Sequence, residues 1–367
     1  MIRDVEILVI GGGPAGLCAA QAAASLGAQV LICERDYLPG GQLVKQTHKF
    51  FGSERQYAGT RGFQIGQKLI ADIAGNPRVE LLTEATVLGI YEDGIVTVLY
   101  QQQHLKIRPQ KIIISVGASE KFLAFPGNDL PGVYGAGAVQ TLMNVAGVKP
   151  AQRVVMVGAG NIGLIVSYQL LQAGVDVACV VEAAPRIGGY LVHASKLRRA
   201  GVPILTGHTV KEAYGSDCLE GVTICRLDES WQQIPGTEQE IPCDTLCLAV
   251  GLAPLSQLCW QAGCKMAYIR ELSGHVPLVS ENLETTVPGI YAAGDTSGIE
   301  EASSAMVEGR LAGYAAAAAL GYQPQEAEEQ CRMARQELVE LRSGPAGEKI
   351  RAGLAKMSKW REEQATC

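Results

Sequence analysis

Glu6-Ile-Leu-Val-Ile-Gly-Gly-Gly-Pro-Ala-Gly16 decides how this chain folds. An apolar run of strand length breaks into three glycines. Small and apolar residues then continue to Leu26, as in a buried helix. Gly11 permits a tight turn, Gly13 leaves bare backbone for a close approach, and Gly16 lets helix and strand pack closely. Pro14 and Ala15 open the helix, whose free N–H groups and partial positive charge suit a phosphate. A second apolar strand, Gln29-Val-Leu-Ile-Cys-Glu34, ends in an acid 23 residues after Gly11. That is the spacing of a carboxylate that accepts hydrogen bonds from ribose hydroxyls. Arg35 follows it.

The pattern recurs. Arg153-Val-Val-Met-Val-Gly-Ala-Gly-Asn-Ile-Gly163 leads into a helix to Ala173 and a strand, Val175 to Glu182. Gly158 stands 147 residues after Gly11, and Glu182 stands 24 after Gly158. Gly158, Gly160 and Gly163 repeat the three glycine roles, and Asn161 and Ile162 open the second helix. A carboxylate at Glu182 repels a 2′-phosphate, which favours NAD(H) over NADP, with Arg186 nearby in sequence as a counterweight.

Composition narrows the class. The chain has 367 residues, enough for two domains, and 43 glycines without low-complexity sequence, as suits α/β turns. A net charge of -6 argues against a general nucleic-acid surface. No stretch reads as a membrane span, and no basic-then-apolar leader precedes Ile7. Eleven cysteines, an odd number, read as thiols of a reducing compartment, so a cytoplasmic setting is expected.

Further segments give the two copies different ligands. Thr286-Val-Pro-Gly-Ile-Tyr-Ala-Ala-Gly-Asp295, together with the first glycine motif, resembles the two-dinucleotide-binding-domain flavoproteins, which include thioredoxin reductase and ferredoxin reductases. The resemblance runs over residues 4 to 322. It implies that FAD sits on the first copy. Gly294 ends an apolar strand, Asp295 reaches the ribityl hydroxyls, and the next helix turns its N-terminus, with Ala302 as N–H donor, to the flavin pyrimidine. Ile112-Ile-Ile-Ser-Val-Gly-Ala118, with Gly117, resembles the turn closing the FAD domain before the insert. Leu246-Cys-Leu-Ala-Val-Gly-Leu-Ala-Pro254, with Gly251, resembles its counterpart beyond the NAD domain. Val87, in Thr83–Val87, is expected at the adenine. Pro39-Gly-Gly-Gln-Leu43 resembles the loop that approaches the isoalloxazine, with Gly41 and Gln42 as contacts. His48 is the candidate for proton transfer beside the ring.

The expected fold is therefore α/β, with two Rossmann-like, three-layer ββα dinucleotide-binding domains and a helical C-terminal tail. Residues 1–120 and 275–322 form the FAD domain, 121–274 the inserted NAD(P) domain, and 323–367 a tail that either covers the chain's own surface or docks a partner.

Disulfide reductases of this superfamily carry a redox-active cysteine pair. The loop from Gly40 to Gly52 has none. Cys243/Cys247 and Cys259/Cys264 match no trusted metal or redox spacing, and no metal site is expected. The Gly-Gly-Gln-Leu opening and Asp295-Thr-Ser-Gly-Ile-Glu-Glu-Ala302 most resemble the α-type subunits of heteromeric amine and amino-acid dehydrogenases: opine oxidase, hydrogen cyanide synthase, proline and hydroxyproline dehydrogenases, and sarcosine oxidase α. The tail holds only Cys331 and Cys367, so any iron–sulfur centre would sit on another chain. The reading is an FAD- and NAD(H)-dependent oxidoreductase subunit passing electrons to or from a flavin or iron–sulfur partner that handles a small amine, amino-acid or hydroxy-acid substrate. Two alternatives are an NADH-dependent reductase of a small acceptor or ferredoxin acting alone, and a relay subunit whose second nucleotide is structural.

Overall fold

The computed structural model describes residues 2–50, 53–345 and 347–365. Phe51, Gly52, Ala346 and Cys367, which the segments above include, lie outside the described residues. The chain is mixed α/β with a helical C-terminal region. It divides into two compact units, Met1–Ser119 with Leu252–Cys367, and Glu120–Gly251.

In the first unit, strands Val79–Leu82, Val30–Cys33, Ile2–Ile10 and Gln103–Ile114 lie parallel in that spatial order. Ile290–Ala292 pairs in parallel with Ile112–Ile114, the end of the long strand. Its beginning pairs antiparallel with Val96–Tyr100, which pairs with Ala85–Ile90. Successive side chains of Ile7–Ile10 face opposite ways. Ile7 and Val9 join a core with the helices Pro14–Leu26 and Ala302–Ala318, while Leu8 and Ile10 join one with Val96, Val98 and Ile107. A strand covered on both faces has no polar side to show, hence the unbroken apolar run. The two helices meet on bare backbone. A Cβ at Gly309 would stand 2.0 Å from the Ala15 carbonyl oxygen, and one at Gly313 2.3 Å from that of Ala19.

The second unit repeats the design. Ile204–Thr206, Asp176–Glu182, Arg153–Val157, Thr245–Leu248 and Val133–Gly135 form a parallel sheet. Val154 and Met156 pack with the helix Asn161–Gln172, and Val155 and Val157 face a core shared with the antiparallel strands His208–Tyr214 and Gly221–Arg226.

One boundary differs from the sequence reading. Residues 252–274 cluster with the first unit, not with the insert. The helix there, Gln257–Gln261, buries Cys259 with Ile90 and Val96, and Ala267, Ile269 and Leu272 join the core of the first unit. A short helix after the Gly251 turn looks in sequence like the last element of the insert; its apolar side chains complete the other core. The tail also clusters with the first unit. Helix Pro324–Leu341 sets Ala327, Cys331, Ala334 and Leu338 into that core, and Glu348–Ala365 adds Met357, with Ile350 and Leu354 packed against it. Met333 and Val339 of the first of these helices are exposed.

Candidate dinucleotide sites

The glycine turns of the two units are built alike, bond for bond. Gly11 N–H donates to the Cys33 carbonyl (2.9 Å) and Gly158 N–H to that of Val181 (2.7 Å). Both residues have positive φ, 103° and 105°. A Cβ at Gly11 would lie 2.5 Å from the Ser115 carbonyl oxygen, and one at Gly158 2.3 Å from that of Ala249. Gly16 and Gly163 are equally constrained, since a Cβ would fall 1.9 and 2.0 Å from the Gly11 and Gly158 carbonyl oxygens. These four glycines are required by the fold itself.

Gly13 and Gly160 differ from them. A Cβ at Gly13 would meet only the Gly41 Cα, at 3.9 Å, and one at Gly160 would meet nothing within 4 Å. Each sits at the N-terminus of a helix of twelve or thirteen residues in ordinary extended backbone, φ -74° and -73°. Packing therefore leaves the bare Cα at these two positions unexplained, and a phosphate approaching the free N–H groups explains it.

The two acids are oriented in the same way. Glu34 Oε2 accepts from Gly12 N–H (2.6 Å) and Oε1 from Asp36 N–H (2.8 Å). Glu182 Oε2 accepts from Ala159 N–H (2.7 Å) and Oε1 from Ala184 N–H (2.9 Å). A carboxylate has about four lone-pair sites, so each keeps capacity for ribose hydroxyls. One further correspondence escapes sequence reading. Gly40 N–H donates to the Gly12 carbonyl (2.8 Å), and Gly188 and Gly189 N–H to that of Ala159 (3.2 and 2.9 Å). The shared signal is Gly-Gly-X-Leu-Val, present at Gly40–Val44 and Gly188–Val192.

The separated segments of the first unit converge. A Cβ on Gly41 would lie 2.9 Å from the Gly13 Cα, and one on Gly294 3.0 Å from the Ala15 Cβ. Gly117 N–H donates to Thr296 Oγ1 (3.0 Å), and Ala85 N–H, two residues before Val87, to the Glu34 carbonyl (2.8 Å). Asp295 follows Gly294 (φ 69°), and Ala302 is the first residue of Ala302–Ala318. Burial pushes the Asp295 carboxyl up to about 6, aided by Glu300 and Glu301 and opposed by a hydrogen bond from Glu300 N–H (3.4 Å). Burial also raises Glu301.

Other expected residues are less engaged. Gln42 is exposed, and Arg35 is exposed and pairs with Asp36 at 3.5 Å. His48 stacks on Phe50, with ring centroids 5.8 Å apart, and its carbonyl accepts from Gly62 N–H (3.4 Å). In the second unit Asn161 Oδ1 accepts from Tyr190 N–H (2.9 Å), Ile162 is exposed, and the Gly251 carbonyl accepts from Lys121 N–H (2.9 Å).

Among the described residues no group of three or more His, Cys, Asp or Glu could hold a metal, and no helix is long and apolar enough to cross a membrane. Cys259 and Cys264 are 0% and 4% exposed. A hydrogen bond between the two thiols lowers Cys264 to about 7 and raises Cys259, while burial raises both. Cys243 and Cys247 are buried, and burial raises both thiols, Cys243 to about 12.

The chain is 30% identical over 332 residues to an opine oxidase subunit of Agrobacterium tumefaciens (strain Ach5), covering 86% of this chain and 66% of that one. It is 29% identical over 328 residues to the hydrogen cyanide synthase subunit HcnB of Pseudomonas protegens, covering 83% and 68%. It spans just under two thirds of that opine oxidase subunit and of one from Rhizobium meliloti, 66% and 63%. The fold is that of T. acidophilum thioredoxin reductase, with a TM-score of 0.70 at 22% identity over 87% of this chain and 99% of that one. The pattern of pyridine nucleotide-disulphide oxidoreductases matches residues 5–309, and the chain belongs to that family.

Proposed function

We propose that this chain is an FAD-dependent oxidoreductase subunit that takes NAD(H) on its second glycine turn and exchanges electrons with a partner chain. One observation carries the reading. Gly13 and Gly160 are bare where packing does not demand it, at matching helix N-termini beside matching, backbone-oriented acids.

The first unit fits FAD. Gly11–Gly16 and the helix Pro14–Leu26 offer N–H groups to a pyrophosphate, and Glu34 accepts from the adenosine ribose. Gly41 and Gln42 would border the ring, Asp295 would accept from the ribityl hydroxyls, and the helix N-terminus at Ala302 would favour negative charge on the pyrimidine. When bound, FAD supplies two-electron exchange with a nicotinamide and one-electron exchange with a redox partner. His48 is the group proposed to hold or move a proton beside it.

The second unit fits a dinucleotide in the same way, through Gly158–Gly163 and the helix Asn161–Gln172. Glu182 sets its preference, since a carboxylate at the ribose repels a 2′-phosphate and selects NAD(H) over NADP. Cys259 and Cys264 are enclosed by apolar side chains, which argues against a disulfide as the electron acceptor. The relatives are named as subunits, which supports a partner chain. The assignment is tested by releasing the ligands of the purified chain and identifying them by chromatography and mass spectrometry. FAD is expected; a preparation that neither contains nor takes up FAD overturns the reading.

A further inference from the structure

The C-terminal tail reaches back to the segment that faces the flavin. Arg342 caps the helix Pro324–Leu341, and its side chain is only 12% exposed. Its Nε and Nη2 donate to Glu300 Oε1 (3.0 and 2.7 Å), Nε also to Glu300 Oε2 (3.1 Å), and Nη2 also to Glu308 Oε1. Glu308 is buried as well, and the Glu300 side chain is 10% exposed. Neither stops at the arginine. Glu308 Oε2 accepts from Gly294 N–H (2.8 Å) and from Ser297 Oγ (3.2 Å), and Glu300 N–H donates to Asp295 (3.4 Å). The result is a closed ring: Gly294 to Glu308, Glu308 to Arg342, Arg342 to Glu300, Glu300 to Asp295, and Asp295 back along the chain to Gly294.

A second strut supports the same segment. Ile299 N–H donates to the Leu272 carbonyl (3.3 Å), and a Cβ on Gly298 would stand 3.1 Å from the Leu272 side chain. On its other side Leu272 packs against Gly353 of the last helix, where a Cβ would come within 2.8 Å. Arg351 of that helix donates to the Gly344 carbonyl (2.9 Å) and to that of Arg342, fixing the turn between the tail helices. Ordinary packing of a tail would need none of these polar links. Burying a guanidinium with two carboxylates is costly unless every partner is met, and here Glu300 lies in the loop after Asp295 and Glu308 in the helix that the loop enters.

We infer that Arg342 is a positioning residue of the flavin site. Through Glu300 and Glu308 it sets the Gly294–Ala302 segment, so the tail is part of the cofactor site rather than an appendage. The inference rests on the FAD reading for its function and on the ring alone for its geometry.

Arg342→Met and Glu300→Gln test it, each with two readouts. The first is FAD: its dissociation constant, visible spectrum and midpoint potential. Arg342→Met should weaken FAD at least tenfold, shift the band shape and make the potential more negative, because a buried cation is lost and the helix N-terminus is no longer held. Glu300→Gln leaves Arg342 paired with Glu308, so the chain stays folded; it should weaken FAD three- to tenfold and shift the band shape, while its potential becomes less negative because an anion is lost. Arg342→Lys should recover part of the loss, an ammonium replacing the charge but not the fork. The second readout is amide hydrogen exchange of residues 290–305 in flavin-free protein. It should accelerate at least tenfold in both variants, with the Ile2–Ile10 strand unchanged. Wild-type affinity, potential and exchange in folded Glu300→Gln and Arg342→Met would overturn the inference. If the wild-type chain takes up no FAD, the FAD reading fails by itself, and exchange still decides whether Arg342 positions the segment.

Discussion

Gly160→Ala separates a glycine kept for a ligand from one kept for the fold. Nothing lies within 4 Å of a Cβ at this position, and φ is -73°, so alanine fits without strain. Gly160 caps the helix Asn161–Gln172, where alanine is a poorer cap by a few tenths to about 1 kcal/mol. The less flexible unfolded chain returns about 0.4–1 kcal/mol. The two nearly cancel, and thermal unfolding should move by less than about 1 kcal/mol. Binding responds differently. A methyl at the helix N-terminus stands in the path of a pyrophosphate and displaces one or two charge-assisted N–H bonds, each about 1.5–3 kcal/mol. NADH affinity, measured by isothermal titration, should fall roughly 10-fold if one weak bond is lost and up to about 20,000-fold if two strong ones are. Gly163→Ala is the control. Its Cβ would lie 2.0 Å from the Gly158 carbonyl oxygen, so it should cost more than about 3 kcal/mol of stability. Gly160→Ala binding NADH within twofold of wild type would refute the reasoning, as would Gly160→Ala melting like Gly163→Ala.

Other substitutions probe other parts. Asp295 holds its proton up to about 6 in the folded chain against 3.8 when unfolded. A raised acid stabilises the fold below its unfolded value and loses that contribution as pH rises through the folded one, on the order of 3 kcal/mol between about pH 4 and 6. Denaturant unfolding of flavin-free Asp295→Asn should therefore lose less stability than wild type over that range, and parallel curves would count against the buried carboxyl. Cys259→Ser with Cys264→Ser should leave NADH-driven flavin reduction within twofold in stopped-flow traces; abolished reduction would make the pair a redox centre. Glu182→Ser should narrow the preference for NADH over NADPH by at least tenfold in steady-state reductase assays, and an unchanged ratio would remove Glu182 from ribose recognition.

The parts legible in the sequence are those where local pattern and ligand chemistry coincide. Gly11–Gly16 and Gly158–Gly163 declare strand, turn and helix within a dozen residues each, and Glu34 and Glu182 follow at a spacing set by one helix and one strand. Buried parallel strands carry no alternation to mislead, so Ile7–Ile10 and Val154–Val157 could be read directly. The chain from Leu252 to Gly274 could not. Its apolar residues look alike whichever core receives Cys259 and Leu272. The ring through Arg342 was out of reach for another reason. Glu300, Glu308 and Arg342 are ordinary charged residues in a charged stretch, and only the return of the tail onto Ala302–Ala318 makes them partners across 42 and 34 residues of chain. The Gly-Gly-X-Leu-Val repeat lay in plain view, but its meaning depends on Gly40 and Gly188 folding back onto Gly12 and Ala159.

The central claim is that one chain carries a flavin site and a pyridine-nucleotide site that exchange electrons. Anaerobic titration of the FAD-loaded chain with NADH tests it most directly. The account predicts that the oxidised flavin band bleaches with one NADH consumed per flavin, and more slowly in Gly160→Ala at limiting NADH. A flavin band that persists under excess NADH would contradict it.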